Sequence, residues 1–82
     1  MISRKGNPIA NQFEINTPEG VYFQSYRSII AFIPNEGNTQ LDEKYWDYSR
    51  TTSKYRNDFL GMDTAEVKAA IKSGQFILTN LN

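Results

Sequence analysis

Three aromatics, Tyr45, Trp46 and Tyr48, fall within four residues, and a run of hydroxyls and cations follows at once, Ser49-Arg50-Thr51-Thr52-Ser53-Lys54, before Tyr55-Arg56-Asn57-Asp58-Phe59-Leu60. The chemistry open to these side chains is recognition: rings stack or fill a partner's pocket, and guanidinium and ammonium groups pair with anions. Tyr and Arg are the types that most often dominate protein contacts, so Tyr48, Arg50, Lys54, Tyr55 and Arg56 are the candidate partner-binding residues. A helix starting in this run would also present free N–H donors and positive dipole potential beside Arg50 and Lys54. Thr51, Thr52 and Ser53 are therefore candidate ligands for a phosphate or nucleotide. The plainer expectation is that one hydroxyl caps the helix, Arg50 pairs with Asp47, and the rest is solvated. Interleaving of Tyr45, Trp46, Tyr48 and Tyr55 with Lys44, Arg50, Lys54 and Arg56 suits single-stranded nucleic acid too, through stacking and phosphate contacts. Against that stands burial, which is expected to claim Trp46 and Phe59.

A second candidate surface comprises Tyr22, Gln24, Tyr26 and Arg27. Strand alternation puts the two tyrosines and the glutamine on one face, opposite Val21, Phe23 and Ser25. The favoured structural explanation is that helices cover that face and leave the hydroxyls wet. Asp42, Glu43 and Asp47 could flank a substrate or hold a hard cation, but beside Lys44 at a strand end they read as a solvated turn. The chain has no His and no Cys. The commonest general base, the thiolate nucleophile and nitrogen or sulfur metal sites are thereby absent, as is any glycine-rich phosphate loop. A non-enzymatic protein without cofactor or metal is expected.

These groups must be placed by a small α+β fold: a mostly antiparallel sheet of four or five strands with two short helices on one face. Residues 1–12 read as an extended N-terminal arm and 13–82 as a single domain. Phe13-Glu14-Ile15-Asn16 alternates, and Thr17-Pro18-Glu19-Gly20 carries proline where a type I turn fixes φ and glycine where φ turns positive, so a hairpin back through Val21 to Tyr26 follows. The apolar, β-branched run 28–33 is the central strand, and a short fourth strand begins at Thr39. Tyr55, Phe59 and Met62 share a helical face, with Gly61 as the stop and Thr51, Thr52 or Ser53 as N-cap. Asp63-Thr64-Ala65-Glu66 is a capping box, Val67, Ala70 and Ile71 form the buried stripe of a second helix, and Gly74 ends it. Residues 75–81 read as a last strand that rejoins the sheet.

The chain has 82 residues, with nine basic and nine acidic side chains. One core must carry the stability, with Phe13, Phe23, Phe32, Phe59, Phe76 and Trp46 supplying much of the buried area. Zero net charge gives no long-range steering onto nucleic acid or an anionic membrane, which tilts the balance toward a protein partner. No signal-like segment or apolar run long enough to span a membrane occurs, and a cytoplasmic setting is expected. Edge strands at the N-terminal hairpin or the last strand leave self-association open.

The block 45–61, Tyr-Trp-Asp-Tyr-Ser-Arg-Thr-Thr-Ser-Lys-Tyr-Arg-Asn-Asp-Phe-Leu-Gly, resembles the signature of a family of small proteins of unassigned activity encoded by phages and bacteria. The likeness runs from about Phe13 through Gln24-Ser25-Tyr26 to the closing residues 77–82, with the first dozen residues outside it. It transfers no catalytic residue. It implies a phage or mobile-element accessory protein in the host bacterial cytoplasm, binding a host or defence protein or, alternatively, a nucleic acid.

Overall fold

The structure is a computed structural model that describes residues 10–82. Its elements are β1 (Gln12–Thr17), β2 (Gly20–Ser25), β3 (Ser28–Pro34), β4 (Gln40–Asp42), α1 (Arg50–Leu60), α2 (Thr64–Ser73) and β5 (Ile77–Thr79). The strands form one sheet in chain order, antiparallel throughout except for the parallel pair β4–β5. A parallel neighbour requires a crossover, and both helices lie in it. The α+β class with a five-stranded, mostly antiparallel sheet and two helices is as the sequence indicates.

Turn chemistry sets the first hairpin. Thr17 Oγ1 accepts from the N–H of Glu19 and of Gly20 and donates to the Gly20 carbonyl, closing the Pro18-Glu19 turn. Gly20 has φ 154°, and a Cβ there would meet the Ile33 carbonyl oxygen at 2.3 Å, so no side chain fits. Between β2 and β3 the register slips at Phe23/Gln24, which turns both Ile30 and Ala31 inward. Phe23, Ile30, Ala31, Leu41, Val67, Ala70 and Phe76 form the core, with Tyr45, Trp46, Tyr55, Phe59, Leu60, Met62 and Ile71 packed against it. Phe23 stacks on Phe59 of α1 at 5.5 Å. Both helices therefore cover the face that carries Phe23 and Ala31.

Register aligns Ile15, Tyr22, Phe32, Gln40 and Ile77 across the opposite face. Tyr22 stacks on Phe32 there, with ring centroids 4.3 Å apart. The expectation that helices cover the Tyr22 face is thus reversed: they cover its alternate. Phe13, expected in the core, is exposed because β1 is an edge strand whose odd positions point away from the helices. Of the acids expected in a solvated turn, Glu43 and Asp47 are exposed, but Asp42 is buried. Phe76, just before β5, is buried, its N–H held by the Ala70 carbonyl, whereas Ile77 and Leu78 within β5 are exposed. Of the expected N-terminal arm, residues 1–9 lie outside the described residues and Gln12 already belongs to β1. No helix among the described residues is long and apolar enough to cross a membrane.

Candidate functional site

Three separate segments meet at the end of the sheet where β2 turns into β3: the start of β1 with the residue before it (Phe13, Asn11), the turn itself (Gln24 to Ser28), and the Tyr45 to Tyr48 turn that leads into α1. Between them lies an open cleft of about 860 Å³. Phe13, Tyr26 and Tyr48 on its walls are exposed, Tyr48 by 66% and Tyr26 by 52%. Half of the exposed large apolar side chains among the described residues thus converge on one place. Ile30 and Tyr45 form its inner wall, and Tyr45 meets Tyr48 edge to face at 5.5 Å.

The backbone at the mouth is held in an uncommon conformation. Ser25 pairs with Ser28, so the connection is the two-residue turn Tyr26-Arg27, which takes no Gly or Asn although Tyr26 has φ 55°. Its N–H donates to the Asn11 carbonyl at 2.6 Å and its carbonyl accepts from Gln24 Nε2 at 2.8 Å. Asn11, itself at φ 63°, is thereby tied to the turn.

Behind the cleft, two buried polar groups fix the aromatic turn and the start of α1. Arg56 is fully buried and donates through Nη1 to the Trp46 carbonyl at 2.6 Å and to Asp47 Oδ1 at 3.2 Å. Its Nη2 donates to Asn57 Oδ1 and Thr64 Oγ1, and its guanidinium lies 5.3 Å from the Trp46 ring centroid. One side chain thus joins the 45–48 turn, α1 and the start of α2. Thr52, also buried, shares a 2.9 Å hydrogen bond with Ser25 that pins α1 to β2. The Ser53 hydroxyl donates to Asp47 at 2.6 Å, and this bond holds the Asp47 carboxyl below its ordinary range, opposed by burial and helped by Arg56.

These contacts redistribute the sequence candidates. Tyr48 comes together with Gln24, Tyr26 and Arg27 of the second surface, a union that separation along the chain conceals. Tyr22 lies apart, on Phe32. Arg50 and Lys54 are exposed on α1 outside the cleft, with Lys54 Nζ 5.1 Å from the Tyr55 ring, and Tyr55 is half-buried against the core. Arg56 is withdrawn from any surface, because its guanidinium is occupied inside. The Asp47 partner is Arg56 rather than Arg50. At the expected anion seat of Thr51, Thr52 and Ser53, most of the hydroxyls are turned to internal partners. Ser49 is the N-cap, taking the Thr52 N–H on its hydroxyl and the Ser53 N–H on its carbonyl, while the Thr52 and Ser53 hydroxyls are engaged internally and Thr51 alone stays exposed.

Asp42 is saturated in the same manner. Oδ1 accepts from Leu81 N–H and Asn82 Nδ2, and Oδ2 from the N–H groups of Lys44 and Tyr45. Burial would raise this carboxyl, but the hydrogen bonds from Leu81, Asn82, Lys44 and Tyr45 outweigh it and hold it below the ordinary 3.8. Among the described residues no cluster of acids is arranged to hold a metal ion. Asn11, Phe13, Ser25, Ser28 and Ile30 are the cleft residues that the sequence does not single out as site candidates. The only signal for Phe13 is that it stands on an edge strand.

The model of a family of unknown function, DUF8033, matches residues 1–77, and the chain belongs to that family. The match takes in the first dozen residues, expected to lie outside the likeness, and stops at Ile77 rather than running to Asn82. No curated protein and no solved structure matches the chain.

Proposed function

We propose that this member of the family is a small non-enzymatic binding module whose cleft takes a segment of a partner protein. The observation that carries this is the gathering of Phe13, Tyr26 and Tyr48, all exposed, around one cleft whose frame is fixed by Arg56 and Thr52. Exposed rings on a rigid frame bury large area at little cost in side-chain entropy, which is how a few residues come to dominate a contact. The resemblance of the 45–61 block to phage and bacterial proteins supports the setting: a phage or mobile-element accessory protein in the bacterial cytoplasm that binds a host or defence protein. Single-stranded nucleic acid is the alternative occupant, with Tyr26 and Tyr48 as stacking platforms. It is disfavoured because Arg27 is the one cation among the described residues of the cleft wall and net charge is zero.

Co-purification from bacterial cells tests the choice. Phe13→Ser with Tyr48→Ser is expected to abolish a specific protein partner at unchanged melting temperature, while Arg50→Ala with Lys54→Ala retains it. Loss with the helix pair alone, or oligonucleotide binding that falls steeply with salt and depends on Tyr26 and Tyr48, overturns the proposal.

A further inference from the structure

We infer that the Tyr26-Arg27 turn is the specificity element of the cleft, and that it selects a partner segment carrying an apolar anchor beside a carboxylate. This rests on the cleft being a protein-binding site. Two-residue hairpins ordinarily place Gly or Asn where φ is positive, because a Cβ there is strained. Here a tyrosine occupies φ 55° and exposes half its surface at the cleft mouth. Such a residue does little for the core, and its strained backbone is held by the Asn11 carbonyl and the Gln24 amide. Strain maintained by neighbouring bonds at a ligand-facing position is the pattern of a binding determinant.

Charge supplies the rest. Arg27 is exposed, makes no ion pair with a described residue, and among the described residues no carboxylate lines the cleft with it. An occupant bearing a basic group meets Arg27 with no acid on the described cleft wall to screen it, whereas an acidic one gains a charge-assisted bond. Phe13, Ile30, Tyr45 and Tyr48 offer the apolar wall against which a Leu or Phe side chain loses its water.

The test is a selection of random dodecapeptides displayed on messenger RNA against the full chain, repeated on variants. The expected consensus has an aromatic or branched apolar residue within a few positions of Asp or Glu. Tyr26→Asn is expected to lower enrichment at least tenfold while melting no lower than the parent, and Arg27→Glu to turn the charge preference toward Lys and Arg. A consensus indifferent to charge, or one unchanged by Arg27→Glu, overturns the inference and leaves a protein-binding cleft. A large fall in melting temperature for Tyr26→Asn overturns the assignment of Tyr26 to recognition and makes it structural. Absence of enrichment relative to Tyr48→Ser overturns the cleft reading itself.

Discussion

Arg56 and Tyr48 belong to one short segment and meet opposite fates. Thr52, Arg56 and Phe59 form the inward stripe of α1, and two of the three are polar. A hydropathy pattern scores Thr52 and Arg56 as surface, because the Trp46 carbonyl, Asp47 and Thr64 that help satisfy Arg56 come from outside α1. Its burial was therefore not legible, whereas the exposure of Tyr48 was in keeping with a contact role. Arg56→Met is expected to cost about 3 kcal/mol in urea unfolding, since it strips the hydrogen bonds that join the Trp46-Asp47 turn to both helices. Tyr48→Ser is expected to shift the same measurement by less than about 0.5 kcal/mol. Equal effects would place the two side chains in the same structural role.

At the scale of elements, local chemistry was readable where one residue type has one use. The Thr17 to Gly20 turn, the Asp63/Glu66 capping box and the stops at Gly61 and Gly74 all form where their residues stand. The start of α1 was harder, because Ser49, Thr51, Thr52 and Ser53 compete for the cap and only packing decides that Thr52 turns inward to Ser25. Ser49→Ala is expected to destabilise by about 1 kcal/mol through loss of the cap, whereas Thr51→Ala is expected to be nearly neutral by thermal melting. Gly20→Ala forces a Cβ against the Ile33 carbonyl and should cost about 3 kcal/mol or more. A stable Gly20→Ala protein would contradict the hairpin geometry.

For the whole molecule, the sheet face taken by the helices could not be read from alternation, because both faces of β2 and β3 carry large side chains. The crossover from β4 to β5 decides it, and the Asp42 carboxylate fastens the C-terminal residues to the turn after β4. Asp42 has a folded pKa held below 3.8, so its stabilisation is fully present above that value and is lost as pH falls through the lower folded one. Asp47 behaves alike. Urea midpoints measured from neutral to strongly acidic pH are expected to fall below about pH 4, and Asp42→Asn should lower the neutral midpoint and flatten that fall. An unchanged acid limb in Asp42→Asn would show that the latch contributes nothing.

The union of Tyr48 with the Tyr26-Arg27 turn in one cleft is the claim on which the functional account stands. A photo-crosslinking amino acid placed at position 48, and separately at position 50 on α1, in bacterial cells making the full chain tests it directly. The account predicts a discrete protein adduct from position 48 that disappears when Phe13 and Tyr26 are replaced, and none from position 50. An adduct from position 50 alone, or adducts at 48 that persist without Phe13 and Tyr26, would contradict it.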